Sequence, residues 1–363
     1  LIGEHTDYND GFVMPAAIDK EIILAVGPSD DKQCTLYAVK YDESFAVNPD
    51  EPAIVENPKW ANYLLGVLYR IRRSGKNVPP FHCVFGGEVP TGAGLSSSAA
   101  LECGFGFALN ELFHLDISRL DIIRMAQWAE HHFVGVKCGI MDQFASVMGK
   151  EGHVILLDCR SLQYRYVPID LGDCVILLCD SKVKHSLVNS EYNTRREECE
   201  QGVALLQRYY PEVKSLRDAN RAMLTKHQNE FPPKVFSRCD YVVGELERVA
   251  GASQDLDNGN LEAFGQKMFA THDGLSRLYE VSCAELDFLV DESRKFGGVL
   301  GARMMGGGFG GCAITLVRKM VADRFIDHIT STYRSRFSID MPCYPVQIKD
   351  GTSVLPAEPR QQQ

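Results

Sequence analysis

Pro90-Thr91-Gly92-Ala93-Gly94-Leu95-Ser96-Ser97-Ser98-Ala99-Ala100 is the stretch of this chain on which the fold turns. Gly92 and Gly94 lack a Cβ, so the backbone can turn tightly there and come close to a bulky anion. Serines follow, and the apolar run that begins at Ala99 continues with helical character to Phe113. A glycine turn opening into a helix directs unsatisfied N–H groups and the positive end of the helix dipole at one point, which suits phosphate. No G-x-x-x-x-G-K-[ST] occurs, so this is not the common nucleotide loop. Taken alone, the stretch also reads as a turn followed by a serine-capped helix.

Two further segments bear on the choice. In Gly3-Glu4-His5-Thr6-Asp7-Tyr8-Asn9-Asp10-Gly11, three ionisable groups (Glu4, His5 and Asp7) crowd together ahead of an Asp-Gly turn signal. A solvated turn uses the same residue types. Met304-Met305-Gly306-Gly307-Gly308-Phe309-Gly310-Gly311-Cys312 formally contains G-x-G-x-x-G. A dinucleotide fingerprint follows a strand and opens a helix, however, whereas this run leads into Ala313–Val317, which reads as a strand.

In this order the three segments resemble the GHMP family of small-molecule kinases, and Glu4-His5-Thr6-Asp7-Tyr8 narrows the resemblance to its galactokinase-like members. Further matches are Trp60-Ala61-Asn62-Tyr63, Gly139-Ile140-Met141-Asp142-Gln143-Phe144 and Asp158-Cys159-Arg160-Ser161-Leu162. His185-Ser186-Leu187 with Ser190-Glu191-Tyr192, and Tyr279-Glu280-Val281-Ser282-Cys283, extend the likeness over residues 1–350. The resemblance implies an α+β fold of two domains, 1–168 and 169–356, with the active site in the cleft between them. It also implies transfer of a phosphoryl group from ATP, with Mg²⁺, to the C1 hydroxyl of D-galactose. Two alternatives stay open. One is a kinase for a related sugar, N-acetylgalactosamine or L-arabinose. The other is a catalytically silent sensor that binds galactose and ATP, against which the intact Asp142, Glu130 and Ser96-Ser97-Ser98 weigh.

The resemblance also assigns residues, and each has a plainer reading beside it. Ile122, Ala126 and Glu130 share one face of a helix from Ser118 to about Phe133, and a carboxylate on an apolar face is costly unless paired or bound to metal. A salt bridge to a neighbouring helix would satisfy it. The resemblance makes Glu130 and Ser98 the Mg²⁺ ligands, with water and ATP completing the shell. Asp142, ahead of Phe144, Val147 and Met148, reads unaided as a helix-start cap. By resemblance it is the catalytic group at the anomeric hydroxyl, acting as a base or as an orienting acceptor. Glu4, His5, Thr6 and Asp7, with Gly139, Asp142 and Tyr192, match the galactose-binding residues, where carboxylates accept charge-assisted hydrogen bonds from hydroxyls. Gly92, Ala93, Gly94, Leu95, Ser96, Ser97 and Ser98 match the nucleotide loop. Trp60 matches a residue flanking adenine, its plainer role being an apolar anchor for its helix. The glycines at 306–311 are expected to pack near the phosphates, unless they form a bend in a glycine-rich strand.

Composition bounds these readings. At 363 residues the chain is long for one core, so two domains are expected, and 45% hydrophobic with 24% charged content is that of a globular protein. A formal charge of −10 argues against nucleic acid or an anionic membrane as partner. It leaves local dipoles and a metal to draw phosphates in. The twelve cysteines include no C-x-x-C, and several sit in apolar runs such as 174–179, where a thiol acts as a small core residue. A reducing cytoplasm fits. No apolar run approaches the roughly 20 residues of a membrane helix, and Glu4, Asp7 and Asp10 are unlike a signal peptide. A cytoplasmic monomer acting on a small molecule is expected. The chain starts at Leu1 within what reads as a strand. Galactokinase-like members carry an Ala-Pro-Gly-Arg-Val-Asn-type segment before this point, with an arginine that assists transfer. The resemblance thus implies an N-terminal truncation, with Arg195 or Arg303 as possible substitutes for that arginine.

The periodicities give a coarse layout. Strands are expected at 21–26, ended by Gly27-Pro28-Ser29, and at 82–85, 153–158 and 174–179. A helix is expected from Asn57-Pro58, with asparagine as cap and Trp60, Leu64, Val67, Leu68 and Ile71 at helical spacing. Ser118 with Asp121 opens the next helix in a capping-box pattern. Residues 190–209 and 235–251 read as charged helices. Strands and helices mix without strict βαβ alternation, which is the α+β pattern.

Overall fold

A computed structural model describes residues 1–30, 33–89, 94–183 and 188–355. Gly92 and Ala93 of the glycine loop, and His185-Ser186-Leu187, lie outside the described residues. The first half of the chain forms β1 (Phe12–Val13), β2 (Ile22–Pro28), β3 (Cys34–Ala38), β4 (Glu43–Val47), α1 (Ala61–Arg73) and β5 (Phe81–Gly87). It continues through α2 (Ser97–Phe113), α3 (Arg119–Ala129), α4 (Met141–Met148), β6 (His153–Asp158) and β7 (Tyr164–Pro168). The second half forms β8 (Cys174–Asp180), α5 (Val188–Leu206), α6 (Arg221–Lys226), α7 (Pro233–Asp257), α8 (Leu261–Arg277) and α9 (Ala284–Lys295). It ends with β9 (Val299–Met304), β10 (Cys312–Arg318), α10 (Lys319–Phe337) and β11 (Cys343–Val346).

These strands make three sheets, ordered β2-β5-β3-β4, β1-β6-β7 and β11-β8-β10-β9. The first is mixed, because β3 runs parallel to β5; the other two are antiparallel. The unbroken apolar run of β8 is explained by its place: it lies between β11 and β10, and six of its seven residues are buried. The glycine run 306–311 joins β9 to β10 as a hairpin connection, with Met304 opposite Ala313. It therefore precedes a strand, as its context indicates, and opens no helix.

Helix starts follow local chemistry in some places and not in others. Ser118 Oγ accepts from the Asp121 N–H at 3.1 Å, the cap expected at α3. That helix does not run unchanged to residue 133. Its last turn widens into a π-turn at Glu130–Val134, closed by Gly135 in a left-handed conformation. Such widened turns occur often at functional sites. The expected cap at Asn57 is not one. Helix α1 begins at Ala61 after a turn in which the Ala61 N–H donates to the Pro58 carbonyl, and no side chain caps it. Asp142 is likewise not the cap of α4; Ile140 holds that position and Asp142 lies within the first turn.

A core of α1, α2 and α3 against the β2-β5-β3-β4 sheet fills the first half, with Leu64, Leu68, Phe81, Phe105 and Ile123 essentially inaccessible. A second core lies between β8, β10 and helices α7, α9 and α10. A third joins Ile2, Met14, Val154 and Val167 to Ile176, Leu178, Ile314 and Leu316. Burying these side chains is worth roughly 1.5–3 kcal/mol each, and it fastens the first residues of the chain against the β11-β8-β10-β9 sheet. No described helix is long and apolar enough to cross a membrane.

Candidate active site

The turn at residues 3–11 is built around Thr6. Its hydroxyl, fully buried, donates to the carbonyls of Gly3 (2.8 Å) and Phe12 (2.9 Å), which closes the turn. Thr6 therefore holds the loop and does not line the cavity beside it, unlike its neighbours. The Gly3 N–H is anchored by the buried Glu245 carboxylate at 3.0 Å, itself held by Thr271 and Arg248. So fixed, Glu4, His5 and Asp7 all face a cavity of about 160 Å³. Gly139, Met141 and Asp142 at the start of α4, Ser98 of α2, Glu130 of the π-turn and Tyr192 of α5 line it too.

Gly139 is needed where it stands, because a Cβ there would fall 1.8 Å from Asp7 Oδ2. The Asp7 carboxylate accepts from the Tyr8 N–H (3.0 Å) and the Met141 N–H (3.3 Å). Burial, with the nearby Asp142 carboxyl adding to it, nevertheless raises its pKa to about 6. Burial also raises the Asp142 pKa, and the Ser96 hydroxyl beside it acts in the opposite direction. Ser96 itself sits in a left-handed conformation (φ 52°) ahead of α2 and makes no side-chain cap, so its hydroxyl serves Asp142 and not the helix. Glu130 is buried and its pKa is raised by desolvation, while the Ser98 hydroxyl favours the charged form. Burial lowers the His5 pKa to about 4, so the ring is neutral at pH 7.

Two residues bear on the electrostatics from outside the lining: Arg303, named from the sequence only as a substitute for an upstream arginine, and Glu102, which the sequence reading did not single out. Arg303, on β9 and 1% exposed, pairs with Glu4 Oε1 at 2.5 Å and also donates to the Leu1 and Met304 carbonyls. Glu102, fully buried on α2 one turn beyond Ser98, has neither carboxylate oxygen hydrogen-bonded among the described residues. Burial, reinforced by Glu130, pushes its pKa well above the usual carboxylate range. As the one charged residue between Ser97 and Leu109 of α2, Glu102 was a visible signal. The pairing of Arg303 with Glu4, 299 positions away, had no local signal. Cys138, Gln143, Gly306 and Gly307 also line the cavity.

The rest of the expected site lies outside the cavity lining. Gly94 abuts the second glycine run: a Cβ on Gly306 (φ 73°) would come 3.0 Å from the Gly94 carbonyl, so the two loops pack backbone to backbone. Leu95 packs on the third core, and Ser97 begins α2. Trp60, partly buried against the first core, donates its indole N–H to Glu43 Oε2 at 2.7 Å and meets Phe85 edge-on. Arg195 donates to the carbonyls of Tyr279 and Glu280 and does not reach the cavity. Among the described lining residues there is no lysine or arginine.

Comparison with known proteins matches three families of sequence. Residues 1–28 match the galactokinase galactose-binding signature, residues 62–150 the GHMP kinase N-terminal domain, and residues 252–335 the GHMP kinase C-terminal domain. A galactokinase of Thermotoga maritima is 40% identical over 98% of this chain and 97% of its own length. One of Roseiflexus is 38% identical over 97% of this chain and 89% of its own. The crystal structure of Lactococcus lactis galactokinase complexed with galactose superposes with a TM-score of 0.92 at 33% identity, over 98% of this chain and 92% of that one. Mevalonate kinase of Methanococcus jannaschii shares the fold (TM-score 0.65, 17% identity, 96% and 95% coverage). The two-domain α+β architecture is thus the GHMP one, and the chain belongs to the galactokinase family within it.

Proposed function

We propose that the protein transfers the γ-phosphoryl group of ATP to the C1 hydroxyl of D-galactose. The observation that carries this reading is the convergence of Glu4, His5, Asp7, Gly139, Asp142 and Tyr192 on one small cavity that also contains Ser98 and Glu130. Sugar hydroxyls need acceptors and a donor at fixed places. The buried carboxyl groups and the neutral His5 ring offer both. The galactose bound to the Lactococcus lactis relative supports the choice of sugar. A hydroxyl of the wrong epimer would leave buried carboxylates unpaired, which costs about 1–3 kcal/mol per group.

We assign Asp142 to the reacting hydroxyl. Its raised pKa makes it a better proton acceptor than an ordinary aspartate, and the Ser96 hydroxyl holds it in place. Asp7 fixes the sugar beside it, anchored by its two backbone N–H donors. Phosphoryl transfer also requires charge neutralisation at the phosphates. The donor set for Mg²⁺ fits at Ser98 and Glu130: a hydroxyl beside a buried carboxylate that has no ion pair among the described residues. No cluster of three or more His, Cys, Asp or Glu side chains encloses a metal among the described residues. This suits an ion that retains water and phosphate ligands. When bound, Mg²⁺ would neutralise charge on the triphosphate oxygens. We place the nucleotide against Gly94–Ser98 at the start of α2, with Trp60 near the base. The boundary between the domains is placed at 168/169, between β7 and β8. Tyr192, Gly306 and Gly307 then reach the cavity from the second domain and the other lining groups from the first. We place the protein in the cytoplasm, where its twelve free thiols would stay reduced, and propose that it acts as a monomer.

The test is a panel of sugars with MgATP, read by ³¹P NMR. Galactose 1-phosphate should be the main product, with N-acetylgalactosamine and L-arabinose turned over more slowly. Faster turnover of either would move the assignment to that sugar, and ATP binding with no turnover of any would favour the silent sensor.

A further inference from the structure

His5 carries a feature beyond the family reading. Its ring is 3% exposed and its backbone is left-handed (φ 63°). The Nδ1 atom lies 2.7 Å from the Tyr8 hydroxyl, and that hydroxyl 2.7 Å from the hydroxyl of Tyr279. The Tyr279 hydroxyl lies 3.1 Å from Cys199 Sγ. Tyr279 and Cys199 are buried in the second core, so this file of polar atoms leads away from the cavity. On the other edge of the ring, Nε2 is buried and makes no well-aligned hydrogen bond among the described residues, although the Gly307 backbone acts on the ring as a nearby acceptor. Glu4 Oε2 is also buried with no partner among the described residues. Both residues line the cavity.

We propose that Tyr8, Tyr279 and Cys199 form a hydrogen-bond relay that fixes His5 as the Nε2–H tautomer, so that the ring presents a donor to the substrate. The proposal rests on reading the cavity as the sugar site. Each hydroxyl and the thiol own one proton, so the file can run in only two directions. In one, Cys199 S–H donates to Tyr279, Tyr279 to Tyr8, and Tyr8 to Nδ1, which leaves the ring proton on Nε2. In the other, Nδ1–H donates to Tyr8 and the file ends with a phenol donating to sulfur. The first ends a phenol on an imidazole nitrogen, a strong acceptor; the second ends one on a weak acceptor. A charged ring, which would donate from both nitrogens, is disfavoured by burial. Nε2–H is then one donor and Glu4 Oε2 one acceptor, the complement of a single sugar hydroxyl. Tyr8 and Tyr279 are positioning residues in this scheme. They act through His5 alone.

The test uses the full chain with ¹⁵N-labelled histidine. Two-bond ¹H–¹⁵N correlations at pH 7 report which nitrogen carries the proton, and His5→Gln assigns the signal. The empty wild-type protein should show Nε2–H, and Tyr8→Phe should bring in the Nδ1–H form. In the same variant KM for galactose should rise about tenfold, the worth of one hydrogen bond, with kcat little changed. Tyr279→Phe breaks the file one step farther back and gives the same reading if Tyr8→Phe does not fold. An Nδ1–H signal in the wild type, or a tautomer unmoved in a folded variant, overturns the relay. If the tautomer behaves as stated but galactose leaves the His5 signals unmoved, the sugar assignment fails and the relay stands.

Discussion

Replacing Arg303 with methionine should be among the most damaging single changes in this protein, although Arg303 does not line the cavity. Methionine keeps the apolar stem and removes the guanidinium. Glu4, 4% exposed and paired with Arg303 at 2.5 Å, would then be a buried carboxylate without its cation. Removing one partner of a buried pair typically costs about 3–5 kcal/mol. The carbonyls of Leu1 (2.8 Å) and Met304 (2.6 Å) also lose a donor, at about 1 kcal/mol each. A total of about 5–7 kcal/mol is a large part of the roughly 5–15 kcal/mol that keeps a domain folded. Arg303→Met combined with Glu4→Gln removes the uncompensated charge, so the double variant should be more stable than the sum of the single losses, by at least about 2 kcal/mol. Urea unfolding followed by circular dichroism, with the slope checked for constancy, measures all four corners of the cycle. The reasoning fails if Arg303→Met lies within about 1 kcal/mol of wild type, or if the two losses simply add.

Gly139→Ala should abolish galactose turnover, since the added methyl would fall 1.8 Å from Asp7 Oδ2; kcat/KM within a factor of about ten of wild type would show that the contact relaxes harmlessly. Asp7 bears on pH. An acid whose pKa is raised by folding, here from 3.8 to about 6, favours the folded state fully below about pH 4. That contribution, of the order of 3 kcal/mol, is lost as pH rises through about 6. Asp7→Asn should therefore flatten the melting-temperature profile of the ligand-free protein between pH 4.5 and 8 and lie above wild type at pH 8, while weakening galactose binding. Parallel profiles for the two proteins would contradict this. Glu130→Ala should raise the Mg²⁺ concentration needed for ATP turnover more than it weakens galactose binding. An unchanged Mg²⁺ titration would make Glu130 a structural carboxylate only.

Much of this was legible in the sequence where the signal is local. The helix that follows the serine run, the Ser118 cap and the apolar strands expected at 153–158 and 174–179 follow from spacing and burial. Glu4, His5 and Asp7, which the resemblance assigns to sugar binding, line one cavity. What stayed hidden depends on contacts distant in the chain. Thr6 belongs to the same motif yet is turned inward by the carbonyls of Gly3 and Phe12. Asp142 reads as a helix cap until Ser96, 46 positions earlier, is seen beside it. The π-turn at Glu130 has no periodicity that distinguishes it from a continuing helix. The pairing of Arg303 with Glu4 exists only because β9 is folded against the start of the chain.

The most direct measurement is turnover of galactose by Asp142→Asn with MgATP, alongside galactose binding by calorimetry. Asparagine keeps the shape of the side chain and removes the proton acceptor. Base assistance is typically worth about 10²–10⁴-fold, so turnover should fall by at least that lower factor while galactose still binds and the melting temperature holds. Retention of more than about a tenth of wild-type turnover, a barrier change of only about 1.4 kcal/mol, would contradict the assignment of Asp142 to the reacting hydroxyl.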